Sequence, residues 1–265
     1  GDVYKRQILT LRGSYRPMTN VNEEMFKKSL EEFLKEKKVI AVSGTHGKTT
    51  TASLLAWILD CNGFNPSYLI GGIPENFSQG ARFTDSEWIV LEGDEYDTAF
   101  FDKRSKFLHY LPEVVLINNL EFDHSDIFTD LQQIQTSFKR LINLVPSNGS
   151  LLVNGDDKNI TPLIDIDYCP IESFSLSHLN DLGYRQTGAS FILDGVCFEL
   201  PLYGELNIRN ALGVIYIARY CGLSNDQIQR GFDSFKGIKR RMEVKAEIRG
   251  ITVVDDFCLL YTSPS

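Results

Sequence analysis

The chain alternates between short apolar runs and longer segments whose apolar residues recur at helical spacing. The apolar runs predict buried strands at Lys38–Ser43, Ser67–Gly71, Trp88–Leu91, Val114–Ile117 and Ser150–Val153. The periodic segments predict helices over 22–37, 48–62, 129–145, 207–220 and 225–235. Since apolar strands separated by helices of this length belong to parallel sheets covered on both faces, we predict an α/β fold of the P-loop type with a mostly parallel sheet.

The pattern changes between residues 171 and 202. Two short apolar segments, Ala189–Leu193 and Val196–Leu200, flank Asp194-Gly195, a dipeptide typical of a type I′ hairpin turn. We therefore predict a small antiparallel appendage here. Residues 73–86, which are rich in Gly, Asn and Ser, are predicted to form a loop on the substrate side. Further strands are predicted at Glu243–Arg249 and Ile251–Asp255, on either side of a glycine.

The first predicted strand runs into a glycine-flanked turn, and a helix follows at once. The residues of this turn and of the helix start are Gly44-Thr45-His46-Gly47-Lys48-Thr49-Thr50. Main-chain N–H groups and the positive end of the helix would face an anion, as in a phosphate-binding P-loop. Lys48 would contact the β- and γ-phosphates, and the Thr49 hydroxyl would bind Mg²⁺. Val42 stands where the general pattern has glycine, so the loop is a shortened variant; the alternative is an ordinary Gly-rich turn.

Polar residues also follow two other predicted strands. Acidic residues from Glu92 to Asp97 follow Leu91, and Asp123 and His124 follow Ile117 after a short polar run. Open α/β sheets bind ligands at the carboxyl ends of their strands, so we predict that these clusters and the loop form one site. Glu92 suits Mg²⁺, whereas His124 suggests a second, less strict metal position. The alternative for His124 is hydrogen bonding within its loop.

Positive charge is concentrated after the last predicted helix. Lys236, Lys239, Arg240 and Arg241 lie within six residues of one another. This segment is either a solvated basic turn or a clamp on a γ-phosphate.

Composition narrows the class of protein. A net charge of −8 over 265 residues argues against nucleic acid as the main partner. No apolar run approaches membrane-spanning length and no signal peptide is visible, so we expect no membrane insertion. The five cysteines include no C-x-x-C pair and are typical of reduced residues in a cytoplasmic protein. The oligomeric state stays open.

The two ends share an unusual relationship. Residues 2–7 can be encoded by GAT GTG TAT AAG AGA CAG, and residues 258–263 by TGT CTC TTA TAC ACA TCT. Most of the second stretch is the reverse complement of the first. We therefore expect residues 1–7 and 258–265 to derive from a sequencing adapter, with the credible sequence running from about Ile8 to Phe257. The alternative is two unrelated natural termini.

The loop, the Glu92-to-Asp97 cluster and Asp123-His124 together resemble the Mur ligases, ATP-dependent amide-forming enzymes of peptidoglycan metabolism. Within this family, residues 92–97, 100–107 and 118–124 are similar to those of members that join UDP-N-acetylmuramate to L-Ala-γ-D-Glu-meso-diaminopimelate in cell-wall recycling. One alternative is the member that adds L-alanine to UDP-N-acetylmuramate. An alternative from another class is a P-loop nucleotide-binding switch without ligase chemistry.

The resemblance implies a domain organisation. Residues 8–37 would be the end of an N-terminal UDP-sugar domain and a linker helix, and residues 38–238 a central ATP-binding domain. Residues 239–257 would begin a C-terminal ligase domain. On this basis the chain would be a truncated fragment that is inactive by itself.

The resemblance also implies roles for individual residues, with ATP and Mg²⁺ as cofactors. Lys48, Glu92, His124 and Arg241 would be catalytic, with Thr49, Glu92 and His124 holding metal and Arg241 reaching the γ-phosphate. Asn207 and Asn210 would approach the adenine, and Asp256 would belong to the ATP site. Leu206 stands where the family has histidine, and Gly93 replaces a usual alanine, which we expect to be a mild change.

Overall fold

The computed structural model describes residues 33–94, 97–99, 102–122, 130–185, 188–239, 243–248 and 251–255. Its strands are β1 (Lys38–Ser43), β2 (Ser67–Leu69), β3 (Ala81–Arg82), β4 (Trp88–Glu92), β5 (Asp97–Ala99), β6 (Asp102–Ser105), β7 (Val114–Ile117), β8 (Ser150–Asn154), β9 (Ile171–Phe174), β10 (Leu179–Arg185), β11 (Gly188–Leu193), β12 (Val196–Leu200), β13 (Glu243–Ile248) and β14 (Ile251–Asp255). Its helices are α1 (Lys48–Cys61), α2 (Leu131–Ile142), α3 (Glu205–Tyr220) and α4 (Asn225–Asp233).

A seven-stranded sheet in the order β3-β2-β4-β1-β7-β8-β9 forms the centre of the fold. All neighbours pair in parallel except β3, which is antiparallel to β2. Ile40 and Val42 of β1 pack into an apolar cluster with α1, α3 and α4, while Val39 and Ala41 face a second cluster with α2. The sheet is therefore buried on both faces, which confirms the predicted α/β architecture.

The end of α1 shows how the sequence sets an element boundary. Gly63 adopts φ +86°, a left-handed conformation that glycine accepts without strain. Its N–H donates to the carbonyl of Asp60, and the N–H of Phe64 donates to that of Leu59. This pair of hydrogen bonds is a Schellman motif, so the predicted helix over 48–62 stops at Cys61.

Two predictions about the sheet are wrong. Residues Ala81–Arg82 form the edge strand β3 inside the segment predicted as a loop, because two residues are too short to show a pattern. Ile171–Phe174 pairs in parallel with β8 in the main sheet and does not belong to the appendage. Its two central residues are exposed, as on an edge strand, which explains why the segment was not predicted as part of a buried parallel sheet. The predicted strand Ser67–Gly71 also ends earlier, at Leu69.

The appendage is a three-stranded antiparallel sheet in the order β10-β11-β12. Asp194 (φ +53°) and Gly195 (φ +77°) both have positive φ, as a type I′ turn requires, so the predicted hairpin is confirmed. The predicted strands near 243–255 also form an antiparallel pair, β13 with β14.

The helix predicted over 22–37 lies largely outside the described residues. Within its range Phe33 and Leu34 are helical, and Leu34 is buried. No helix in the described ranges has the length and apolar character needed to cross a membrane.

Candidate functional site

The loop between β1 and α1 has the backbone expected of an anion site. Gly47 precedes α1 with φ +80°, and no side chain caps the helix. The first turn of α1 carries no acidic residue, so the positive end of the helix dipole faces the loop. Lys48 folds back over the loop, where its Nζ donates to the carbonyls of Gly44 (2.8 Å) and Thr45 (3.2 Å). Glycines, lysine and the start of the helix are thus close together at this loop.

Asn119 holds the loop in shape from the neighbouring strand end. Its Oδ1 accepts from the N–H of His46 (2.7 Å) and its Nδ2 donates to the carbonyl of the same residue (2.9 Å). Its own carbonyl accepts from the N–H of Thr45 at 3.1 Å. The His46 ring points outward, 3.6 Å from the Glu121 carboxylate, so His46 contributes to the loop through its main chain.

Thr49 and Glu92 meet across the ends of β1 and β4. Val42 pairs with Glu92 in the parallel register, so the Glu92 carboxylate lies beside the start of α1. Its Oε1 accepts from the Thr49 hydroxyl at 2.8 Å, and its Oε2 accepts from the N–H of Gly71 at 2.6 Å. A hydroxyl and a carboxylate are hard oxygen ligands, and this donor set fits Mg²⁺.

The start of α3 closes the other side of the loop. A Cβ added at Gly47 would lie only 2.5 Å from Oδ1 of Asn210, so the asparagine occupies space that the glycine leaves open. Asn210 is buried and donates to Oδ1 of the half-buried Asn207 at 3.1 Å. Leu206 is 45% exposed beside them. Of the two asparagines predicted to approach a nucleobase, Asn210 therefore lies against the loop and Asn207 contacts Asn210.

The first residues of the loop predicted over 73–86 connect this site to the end of α4. Gly72 is packed between Thr49 and Ile238, since an added Cβ would lie 2.7 Å and 3.1 Å from their methyl groups. The next residues, 73–76, which we name the anchor segment, pair with residues 234–239 through one β-bridge and four hydrogen bonds of 2.9–3.1 Å. These contacts are the bridge Pro74–Ile238 and the bonds Lys239 N to Ile73 O, Glu75 N to Gly237 O, Lys236 N to Asn76 Oδ1, and Asn76 Nδ2 to Ser234 O.

The Tyr110 phenol is influenced by the acidic residues at the end of β4. Tyr110 is buried, and burial together with the negative charges of Asp94 and Glu92 raises the pKa of its phenol, which stays neutral. His124, Arg241 and Asp256 lie outside the described residues, so their predicted roles stay predictions.

The sequence predicted that the loop and the residues after β4 and β7 converge, and the structure brings together Lys48, Thr49, Glu92 and Asn210. Asn119, which holds the loop in shape, was not predicted to take part in the site. The signal for it was present, because two consecutive amides directly follow a buried strand at the ligand-binding edge of the sheet.

The chain belongs to the Mur ligase family: a model of the Mur ligase middle domain matches residues 42–218. Among its relatives it is similar to the UDP-N-acetylmuramate–L-alanyl-γ-D-glutamyl-meso-2,6-diaminoheptandioate ligase of Escherichia coli (strain K12), with 40% identity over 235 residues. That match covers 84% of this chain and 50% of the relative. It is 35% identical over 240 residues to the UDP-N-acetylmuramate–L-alanine ligase of Geotalea uraniireducens (strain Rf4), covering 86% of this chain and 50% of the relative.

A solved structure agrees with these relationships. The UDP-N-acetylmuramate:L-alanyl-γ-D-glutamyl-meso-diaminopimelate ligase from Neisseria meningitides superimposes with a TM-score of 0.75 at 40% identity, covering 86% of this chain and 78% of that one. The chain spans about half the length of the curated relatives that it matches.

Proposed function

We propose that the chain is the ATP-binding part of a ligase that joins UDP-N-acetylmuramate to L-Ala-γ-D-Glu-meso-diaminopimelate in peptidoglycan recycling. The observation that carries the proposal is the pairing of Thr49 with Glu92 beside an uncapped glycine loop. A phosphate loop alone would fit many nucleotide-binding proteins. A hydroxyl and a carboxylate held together at its rim add a position for Mg²⁺.

Each described residue has a definable task in this proposal. The loop N–H groups and Lys48 bind and neutralise the phosphates of ATP, while Thr49 and Glu92 hold Mg²⁺, which neutralises charge on the transferring phosphoryl group. Asn207 and Asn210 contact the adenine. His124 as a further metal ligand, Arg241 at the γ-phosphate and Asp256 in the ATP site complete the proposed set.

The chemistry proposed for the whole enzyme has two steps. An oxygen of the muramyl lactate carboxylate attacks the γ-phosphorus of ATP, giving an acyl phosphate and ADP. The free amine of the tripeptide's L-Ala then attacks the acyl carbon, phosphate leaves, and the amine loses a proton. The protein contributes mainly by positioning the groups and by stabilising negative charge.

The higher identity to the tripeptide-adding relative, 40% against 35%, favours the tripeptide over L-alanine as the amine substrate. The longer enzyme, incubated with UDP-N-acetylmuramate and ATP, should release phosphate with the tripeptide and not with L-alanine. Turnover with L-alanine alone would show that the alternative member is correct. ATP hydrolysis with neither amine nor sugar would instead favour a nucleotide-dependent switch.

The domain assignment is part of the same proposal. We place the central ATP-binding domain at 38–238, between a remnant of the UDP-sugar domain at 8–37 and the start of a ligase domain at 239–257. With the flanking domains incomplete, the chain should bind ATP without completing the ligation, and the parent enzyme should work in the cytoplasm. Ligation by residues 1–265 alone would contradict this division.

ATP binding by the chain itself can be tested through Lys48. Lys48→Met should weaken MgATP binding about ten- to hundredfold, because a charged hydrogen-bond donor to phosphate is lost. Lys139→Met is a matched control, since Lys139 is exposed on α2 and should change affinity less than twofold. Isothermal titration of both variants measures the difference; equal affinities would contradict the proposed phosphate site.

A further inference from the structure

Asn118 lies under the loop at the junction of β1, α1 and α3. Its side chain is buried, and its Nδ2 donates to the hydroxyl of Thr51 at 2.7 Å and to Oδ1 of Asn210 at 3.1 Å. Its main chain is held as well, by the carbonyl of Ser43 (3.0 Å) and the side-chain amide of Asn154 (2.9 Å). The position of Asn118 is therefore fixed from several sides.

Hydrogen bonds continue from Asn118 in both directions. Asn210 donates to Asn207, whose Nδ2 donates to the carbonyl of Tyr203 at 2.7 Å. On the other side Thr51 donates to the carbonyl of Gly47 at 2.9 Å. We name the four side chains Thr51, Asn118, Asn210 and Asn207 the amide relay; it runs without a break from the phosphate loop to the start of α3.

The two ends of the amide relay impose one direction on it. A carbonyl oxygen can only accept, so Thr51 must give its single proton to Gly47 and accept from Asn118. At the other end Asn207 must turn its Nδ2 to Tyr203, which leaves its Oδ1 to accept from Asn210. Asn210 then has only its Oδ1 to offer Asn118. Both requirements meet at Asn118, which satisfies them by presenting its amino group to both neighbours.

This direction of the amide relay leaves one buried polar atom without a hydrogen bond to any described residue. Oδ1 of Asn118 is buried and has no hydrogen-bond partner among the described residues; it faces Gly213 of α3, where an added Cβ would lie 3.2 Å away. A buried acceptor without a donor is unfavourable. Turning the amide around would be worse, since Oδ1 would then face two acceptors.

We propose that Asn118 is a positioning residue that holds the Asn210 and Asn207 amides in this one direction from the side opposite Tyr203, and thereby fixes the nucleobase that the site accepts. The inference rests on the proposed function, in which the site binds ATP. Asn207 is half-buried, and in the relay its side-chain amide uses one N–H and one lone pair of Oδ1. Its second N–H and its second lone pair remain available to a ligand, and the relay fixes which side of the amide presents each of them. Adenine offers an amino donor beside a ring acceptor, the pattern that an asparagine amide pairs with. Hypoxanthine has a carbonyl in place of that amino group.

The test measures binding of MgATP, MgITP and inorganic triphosphate to the full chain by isothermal titration. Asn118→Leu keeps the volume but removes both donors, so the Asn210 amide is then held by Asn207 alone. We expect about tenfold weaker ATP binding and a smaller preference for ATP over ITP, as for one lost hydrogen bond. Triphosphate reports the loop alone and should bind within about twofold of its original affinity.

A second variant adds a pH readout. The Asn118→Asp carboxylate would reverse the polarity of the relay, so ATP preference should be lost at alkaline pH. Burial raises the pKa of a carboxyl group, and the protonated acid can donate again. ATP binding by this variant should therefore recover as pH falls, unlike that of the unmodified chain. A merely structural role for residue 118 predicts that binding of ATP and of triphosphate would recover together, whereas the proposal predicts recovery for ATP alone.

Asn154→Leu is the matched control: it removes another buried asparagine that bonds to the main chain of Asn118 but lies outside the relay. This variant should have a lower melting temperature, measured by circular dichroism. Its preference for ATP over ITP should be unchanged. In the unmodified chain, the side-chain amide NMR signals of Asn118 and Asn210 should shift with ATP and not with triphosphate, which tests the proposal even if a variant does not fold.

The outcomes separate the two proposals. If the unmodified chain fails to bind ATP, the proposed function is wrong. If it binds ATP but Asn118→Leu keeps the same affinity and preference, the relay does not set the nucleobase. Equal weakening of ATP and triphosphate would likewise overturn the inference, since residue 118 would then only support the loop.

Discussion

The hydroxyl of Thr49 donates to Oε1 of Glu92 over 2.8 Å, across the parallel ends of β1 and β4. The hydroxyl proton is the positive partner of the carboxylate in this arrangement. A magnesium ion at the same position would replace that proton as the positive partner, with both oxygens turned toward the metal. The contact thus links metal binding to the orientation of two side chains.

Glu92→Gln tests this relationship. The amide keeps the size of the side chain but loses its charge, so the chain should lose most of the gain in ATP affinity that Mg²⁺ provides. ATP without metal should bind as well or better, because a negative charge near the phosphates is gone. Titrations with Mg²⁺ and with EDTA compare the two states. Glu121→Gln, an exposed carboxylate beside His46, should leave the Mg²⁺ dependence unchanged.

Gly47→Ala should destabilise the protein more than Gly63→Ala. Both glycines have similar φ, +80° and +86°, so both variants incur about 1–2 kcal/mol of backbone strain. Only at Gly47 would the new Cβ approach Asn210, whereas nothing lies within 4 Å at Gly63. We expect a further loss of about 1–3 kcal/mol in the free energy of unfolding for Gly47→Ala, measured with urea. Equal losses of unfolding free energy in the two variants would show that the Asn210 side chain moves away from the new Cβ without an energetic cost.

Substitutions at Ser43 and Gly93 should have coupled effects on the free energy of unfolding. The Ser43 hydroxyl is buried without a hydrogen-bond partner in the described part of the chain, and a Cβ at residue 93 would lie 2.0 Å from it. Alanine at 93, which the family resemblance suggested to be a mild change, therefore requires Ser43 to rotate. Gly93→Ala should cost about 1–3 kcal/mol, and Ser43→Ala should be neutral or stabilising. In urea unfolding the double variant should recover part of the loss; strictly additive changes would rule out the coupling.

Asp156 should contribute stability that acid removes. Burial opposes its ionisation, but hydrogen bonds from Ser175 and the N–H of Leu176, together with the positive charge of Arg209, lower the pKa of Asp156 below its ordinary 3.8. Because the pKa is lower in the folded state, this stability is fully present above the unfolded pKa. It disappears as pH falls through the folded pKa.

Asp156→Asn should accordingly be less stable than the unmodified chain near neutral pH, with the difference narrowing below roughly pH 4. Urea unfolding at a series of pH values measures both curves. Ser175→Ala should give a smaller loss with the same pH dependence. A difference that stays constant down to acid pH would show that Asp156 acts through packing alone.

The sequence was informative where the chemistry is local. Lys48 and Thr49 could be placed because strand, loop and helix follow one another without a gap, so their geometry needs no distant partner. Asn118 could not, since its partners Thr51 and Asn210 lie 67 and 92 positions away. The pairing of β1 with β7 and the packing of α3 against α1 bring the three residues together. For the same reason the strand Ile171–Phe174, whose exposed centre resembles an appendage, was assigned to the wrong sheet.

The anchor segment gives the loop an influence beyond the nucleotide. Gly72 touches Thr49 on one side and Ile238 on the other, and residues 73–76 hold the chain where it leaves α4. A displacement of Thr49 must be taken up either by Gly72 or by Ile238, since both contacts are already close. A ligand that moves Thr49 would therefore also press on Ile238, the residue that the anchor segment holds after α4.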